Sequence, residues 1–233
     1  MSALDELIEA IEQKRVGIVK ALIDEGIDVN KRDDFGSTPL KYAIYTGNVN
    51  IVEILIKAGA DINVKNKYGR NILMQAIEDK KNEVAKVLIK NGVNVNAKDT
   101  EGNTALHYAA QYNNLKIISI LVNAGTNINV QDKSGETPLI TAVHYHNSNI
   151  VKELISLGAN INVQDEDGMT ALMYAAKYNQ SDTVKYLVDA GADINLKNKE
   201  GLSAVDIAAK VTNNIKNNPE EYAELIIRNM SEE

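Results

Sequence analysis

Apolar residues recur along this chain in two linked patterns. In stretches such as the one holding Ile51, Val52, Leu55 and Ile56 they fall three and four positions apart, the spacing that gives a helix one buried stripe. Ahead of each such stretch lies a shorter one built on a Leu and an Ala three apart, Leu40 and Ala43 in the first complete example. Two helices are predicted, a short one and then a longer one. Segments such as "DINVKNKYGR", residues 61–70, separate the pairs; they are short and polar, with Asx and Gly where a tight hairpin needs them. Helix, turn, helix, hairpin is the predicted unit.

The unit returns at a fixed step. Gly36, Gly69, Gly102, Gly135, Gly168 and Gly201 are 33 apart, and so are Gly26, Gly59, Gly92, Gly125, Gly158 and Gly191. Alanines at 43, 76, 109, 142, 175 and 208 keep the same register. Thr38, Asn71, Thr104, Thr137, Thr170 and Ser203 are residue types whose side-chain oxygen caps a helix start, and Pro39 and Pro138 follow at the first helical position. Two turns on, Gly47, Asn113, His146 and Asn179 are types that tolerate the left-handed backbone ending a short helix, with Lys80 the weak case. Gly59 and its equivalents end the longer helices. Ala43 and its counterparts let the short helices approach closely, while Leu55, Leu88, Leu121, Leu154 and Leu187 fill the layer behind them. Because no unit buries its apolar face alone, adjacent units must stack as a solenoid.

The stretches "DFGSTPLKYA", "KAGADIN", "GNTALHYAA", "GETPLITA" and "GMTALMYAA" resemble the ankyrin repeat family. The resemblance covers nearly the whole chain and implies one all-α solenoid domain over residues 1–233, curved, with short β-hairpin loops and a concave face. Residues 1–32 form a capping repeat without its hairpin, 33–197 hold five full 33-residue repeats, and 198–233 form a second cap. About five extra residues enter that last unit, placed in "TNNIKNNPEE", and "YAELIIRNM" is expected to be the closing helix. The family's Thr-Pro-Leu-His tetrapeptide is never complete. His107 alone keeps the His, and Lys41, Met74, Ile140 and Met173 replace it. The unit from Asn66, with "GRNILMQA" and Lys80, has drifted furthest and is expected to be the softest internal interface.

Charge narrows the partner. A net charge of −7 with interspersed Lys and Arg argues against a phosphate-neutralising surface, so nucleic acid is not expected. The chain has no Cys, which rules out disulfides and thiolate chemistry. An acidic N-terminus unlike a secretory signal, and no apolar run of membrane-spanning length, point to a cytoplasmic protein with no membrane partner.

Each candidate for chemistry has a structural competitor. His144 and His146 are two apart and do not share a helical face, so no metal site is expected. In "DEDG", residues 165–168, Val163 and Tyr174 occupy places where a calcium loop needs oxygen ligands; Asp165 fits a recurring hairpin role instead. The glycines form no nucleotide-binding fingerprint, and no nucleophile has an activating sequence around it, so neither cofactor nor catalysis is expected.

What the period leaves free is aromatic. Phe35 and Tyr68 lie near hairpin tips; Tyr45, Tyr112, Tyr145 and Tyr178 lie near the ends of first helices, and the last three, 33 apart, are expected to stack into a row. Tyr42, Tyr108 and Tyr174, one turn earlier, are expected to be half-buried packing residues. In the family, hairpin tips and the exposed side of the first helix grip partners. The resemblance therefore implies a monomeric, non-catalytic scaffold binding another protein through Phe35, Tyr45, Tyr68, Arg70, Tyr112, Tyr145, Glu166, Asp167, Met169 and Tyr178, with Arg70 and Lys67 against Glu166 and Asp167 orienting it. The competing readings are a secreted or host-directed effector using the same surface, and a metal protein or enzyme built on His144, His146 and the acidic tip.

Overall fold

The computed structural model describes residues 2–214. Two compact units divide the chain, Met1–Thr100 and Glu101–Glu233. The first holds α1 (Ala3–Glu12), α2 (Val16–Asp24), α3 (Pro39–Thr46), α4 (Val49–Lys57), α5 (Ile72–Glu78) and α6 (Asn82–Lys90). The second holds α7 (Ala105–Gln111), α8 (Leu115–Asn123), α9 (Pro138–His144), α10 (Ser148–Ser156), α11 (Ala171–Lys177), α12 (Ser181–Asp189) and α13 (Ala204–Asn214). The expected closing helix "YAELIIRNM", and most of the insertion before it, lie outside the described residues.

Helices of seven to eleven residues are too short to persist alone in water, so caps and packing must hold them. Ser2 and Asp5 cap α1 reciprocally: the Asp5 N–H donates to Ser2 Oγ at 3.2 Å, and the Ser2 N–H to Asp5 Oδ2 at 2.7 Å. Asn71, Thr137 and Thr170 accept from the N–H of Met74, Ile140 and Met173. Thr38 has the extended backbone of a cap, and Pro39 follows it, but its side chain makes no capping bond. The stops fall where the sequence places them, with φ of +69° at Gly47, +52° at Asn113, +56° at His146, +55° at Asn179 and +54° at Lys80. Gly59 ends α4 at φ +89°, and the next residue, Ala60, donates back to Leu55 O at 3.0 Å.

The core repeats with the sequence. Leu55, Leu88, Leu121, Leu154 and Leu187 are fully buried, as are Ala43, Ala76, Ala109, Ala142 and Ala175. First helices pack on first helices, α1 on α3 and α3 on α5 in one unit, and α7 on α9, α9 on α11 and α11 on α13 in the other. The drifted segment at α5 is as well filled as the rest, with Ile72, Leu73, Met74, Ala76 and Ile77 all buried. His107, buried in α7, accepts at Nδ1 from the Thr104 N–H at 3.1 Å. That leaves Nε2 to carry the proton and donate to Glu136 O, 3.1 Å away in the next hairpin. One intact Thr–His pair thus ties two repeats.

The hairpins are closed by side chains rather than by strand ladders. Among the described residues the single isolated bridge pairs Lys65 with Asn71. Asp165 shows the rule. Its Oδ1 accepts from the N–H of Asp167 at 2.9 Å and of Met169 at 2.8 Å, while its own N–H donates to Met169 O at 3.0 Å. Asp33, Asn66, Asp132 and Asn198 close their hairpins in the same way. Further down the hairpin, Asn30, Asn63, Asn129 and Asn162 each accept at Oδ1 from a backbone N–H 31 residues on, joining neighbouring repeats at 2.7–2.9 Å.

Candidate partner-binding surface

The hairpin tips carry the residues that the repeat does not use for its core. Of the neighbouring tips that share a unit, most are laced by one backbone bond. In Met1–Thr100 the Thr100 N–H donates to Tyr68 O at 2.9 Å. In Glu101–Glu233 the same bond runs from Lys133 to Glu101, from Glu166 to Ser134 and from Lys199 to Asp167, each at 2.9 Å. The tips lie so close that a Cβ on Gly135 would stand 2.6 Å from Glu166 N, and one on Gly102 2.9 Å from Lys133 N. Side chains lace the tips as well: Gln131 Nε2 donates to Gly135 O and to Gln164 O, and Gln164 Nε2 to Gly168 O and to Lys197 O.

The first junction departs from this pattern. Counting back 33 residues, the matching bond would run from the Lys67 N–H to Phe35 O, and among the described residues neither group has a hydrogen-bond partner there. Arg32, in the register of Gln131 and Gln164, donates to its own Gly36 O at 2.9 Å and not to the next repeat. A Cβ on Gly36 would meet no described atom within 4 Å. The two hairpins stay joined lower down, where Asn30 Nδ2 donates to Gly59 O and Asn30 Oδ1 accepts from the Asp61 N–H. Held at the base and parted at the tips, they frame a cleft of about 500 Å³ between Phe35 and Tyr68.

The expected site residues separate into groups. Phe35 at 89%, Tyr45 at 70%, Tyr68 at 54% and Tyr145 at 52% are exposed, and each lies where the sequence placed it. Glu166 and Asp167 are exposed on the tip that Asp165 shapes. Arg70 is half-buried and pairs with Glu78 at 3.3 Å. Met169 does not belong with them: at 6% exposure it is buried, because its backbone closes the hairpin on Asp165 and its Sδ accepts from Asn198 Nδ2.

The tyrosine contacts run along helices and towards histidines. Tyr112 stacks on Tyr108 and Tyr178 on Tyr174, with ring centroids 6.2 and 6.0 Å apart. Tyr178 also meets His144 at 5.4 Å and His146 at 5.9 Å, in the preceding repeat. Tyr112 and Tyr178 are half-buried, whereas Tyr145 stands out and takes a hydrogen bond from Gln111 Nε2 at 2.8 Å. His144 has a structural task, its Nδ1 lying 2.9 Å from Glu136 Oε2 and its ring edge on Tyr174 at 4.2 Å. Burial, with Glu136 nearby, raises the Tyr178 hydroxyl above the usual tyrosine value.

Two tyrosines do more than pack. The hydroxyls of Tyr42 and Tyr174 donate to Oδ2 of Asp33 and Asp165, both at 2.6 Å, so each hairpin's closing aspartate is also tied to its own first helix. The bond to Asp33, then burial, pushes Tyr42 up to about 12. Burial pushes Tyr174 up further, helped by Asp165. Burial works against ionisation of Asp33, but the hydrogen bonds from Tyr42, Ser37 N and Phe35 N outweigh it and hold the carboxyl below the usual range. Sequence reasoning also missed Arg32 and Lys65 at the tips. The signal was the residue just before each hairpin's Asx, which reads Arg, Lys or Gln from repeat to repeat.

This architecture of short helix pairs, tied by hairpins that present exposed aromatic and charged tips, defines a helical repeat solenoid of the protein-interaction class. The chain belongs to the ankyrin repeat family: the model for ankyrin repeats in three copies matches residues 6–66, 59–132 and 124–198. Among solved structures it is similar to the crystal structure of the ankyrin repeat domain of Bcl-3, described as a unique member of the IkappaB protein family. The two share 26% identity over 95% of this chain and 97% of that one, with a TM-score of 0.86. Comparison with curated proteins returns no match. Ankyrin repeats as a class bind other proteins and are typically not enzymes. Among the described residues, no helix is long and apolar enough to cross a membrane.

Proposed function

We propose that this protein is a non-catalytic scaffold that acts as a monomer in the cytoplasm and grips a protein partner through its hairpin tips and the outer ends of its first helices. The observation that carries this reading is the set of large aromatic side chains left in solvent at those places: Phe35, Tyr45 and Tyr68 in one unit and Tyr145 in the other. Aromatic residues are enriched at interfaces because they supply broad contact area with few rotatable bonds, and exposed ones at the tips of a rigid framework cost little ordering on binding. Glu166 and Asp167 on one tip, and Arg70 with Lys67 on another, add charge that orients the partner.

The test is affinity capture from the source cells with mass spectrometry. The intact chain is compared with a variant carrying Phe35→Ala, Tyr45→Ala and Tyr145→Ala. The expected result is a defined partner retained by the intact chain and lost by the variant, with the helical circular dichroism of the two superimposable. Capture that is unchanged in the variant would return these aromatics to the status of surface decoration.

A further inference from the structure

We propose that the cleft between the tips at Phe35 and Tyr68 is the seat of an acidic, extended peptide segment of the partner. This rests on the scaffold reading above and gives it a chemistry.

Charge is the first ground. The cleft is lined by Arg32, Lys41, Lys65, Lys67 and Arg70, and among the described residues no carboxylate lines it, in a chain whose net charge is −7. Most of these cations are held by uncharged groups: Arg32 by Gly36 O, Lys41 by Ser37 Oγ at 2.9 Å and Lys65 by Lys98 O at 3.2 Å. Lys67 lies over the Tyr68 ring, 5.0 Å from its centroid. Arg70 has the Glu78 carboxylate. Asp33, whose field reaches Lys41, already receives hydrogen bonds from Tyr42, Ser37 and Phe35. A concentrated positive cleft on an otherwise acidic protein draws in an anionic segment and repels the rest of the chain's own kind.

The backbone is the second ground, and it selects a peptide over other anions. At the laced junctions the tip N–H and the neighbouring tip carbonyl satisfy each other. Here the Lys67 N–H and the Phe35 carbonyl are left with no described partner. An extended peptide offers both an acceptor and a donor on its main chain and so takes the place of the missing lace, as a strand does when added to an open edge. The main chain of a nucleic acid strand accepts but does not donate, so it cannot answer both groups as a peptide main chain does, and its run of phosphates would extend over a protein of net charge −7. Phe35 and Tyr68 then flank the segment as apolar walls. The volume of about 500 Å³ suits a short stretch of chain.

The experiment uses the full chain and a fluorescein-labelled nonapeptide of eight glutamates around a central leucine. Binding is followed by anisotropy, with amide spectra to locate it. Saturable binding is expected, weakening about tenfold or more as salt rises from about 50 to about 200 mM. The Lys67 amide should be among the most shifted. Arg32→Glu with Lys67→Glu should abolish binding and Arg32→Ala with Lys67→Ala weaken it at least about tenfold, with unchanged melting. Tyr145→Ala, in the other unit, should leave it intact. No saturation, equal binding by the charge-reversed chain, or tighter binding of a thymidine dodecamer would overturn the proposal. Should the peptide fail while capture still depends on Phe35, Tyr45 and Tyr145, the scaffold reading stands and the acidic segment falls. Should the peptide bind while capture ignores those aromatics, the reverse holds.

Discussion

Three successive tip junctions in Glu101–Glu233 are closed by the same 2.9 Å backbone bond, whereas in Met1–Thr100 the second junction has that bond and the first does not. The cores beside the laced and the open junctions do not differ in kind. Leu40, Ala43, Leu73 and Ala76 beside the open one are as buried as Leu139, Ala142, Leu172 and Ala175 beside a closed one. The lesson is that stacking is carried by the helices and by the asparagine ties low in the hairpin, so the tips can part without loosening the stack. A repeat protein can therefore open a cleft at one step of its period and keep its neighbours laced.

The largest expected effect comes from putting a methyl group at matched glycines. Gly135→Ala places Cβ 2.6 Å from Glu166 N and 2.9 Å from Asp165 Cα, at φ +79°, so backbone must move and the Glu166–Ser134 lace must break. A loss of about 3 kcal/mol or more is expected in urea denaturation. Gly36→Ala, at φ +72° with open space around it, should cost only the left-handed strain of about 1–2 kcal/mol. Equal losses at the two sites would mean that the first junction is not open.

Amide exchange probes the same difference without mutation. The Thr100, Lys133, Glu166 and Lys199 amides donate in the laces and should be protected, while Lys67 should exchange at least about tenfold faster than these four. An acidic peptide seated in the cleft should slow Lys67 alone among the five. Comparable protection at all five in the free protein would show that the tips close in solution.

What the sequence made legible and what it did not divide along the same line. The helices, their caps, the buried Leu and Ala series and even the strained stop at Lys80 follow from residue types at a fixed step, because each is a local demand of one unit. Phe35, Tyr45, Tyr68 and Tyr145 were readable as exposed for the same reason: nothing in the period requires them. The missing lace was not readable, since it depends on whether two tip backbones approach to about 3 Å, and residue types at 35 and 67 do not encode that distance. Met169 misled because it neighbours an exposed tip in sequence while its side chain turns under the hairpin. Tyr42 and Tyr174 looked like packing residues, and their bonds to Asp33 and Asp165 emerge only once helix and hairpin are placed together.

Those two tyrosines separate what happens inside a hairpin from what happens between hairpins. Tyr42 belongs to the open junction and Tyr174 to laced ones, yet both make the same 2.6 Å bond to their own aspartate. Each hydroxyl has a folded-state value above the unfolded value near 10, so each contributes stability that is complete below pH 10 and is lost as pH rises through the folded value. For Tyr42 the loss should occur between pH 10 and about 12. Tyr42→Phe and Tyr174→Phe should each cost about 1 kcal/mol at neutral pH and flatten the alkaline decline seen in denaturation series. If only Tyr174→Phe does so, the open hairpin is loose internally as well as at its tip.

The smallest effect concerns whether Met1–Thr100 has a second weak point. Lys80 ends α5 at φ +54°, where Gly47 ends α3 and Asn113, His146 and Asn179 end their helices. A long side chain gains nothing from the left-handed region, whereas Asn tolerates it through local hydrogen bonding. Lys80→Asn should therefore stabilise the protein by about 0.5–1 kcal/mol in urea titration. It should do so without changing peptide binding in the cleft, because Lys80 lies at the far end of α5 from the tip at Tyr68. A gain in stability together with weaker peptide binding would mean that the strain at this helix end helps to hold the first junction open, and the separation of stack from tip would have to be given up.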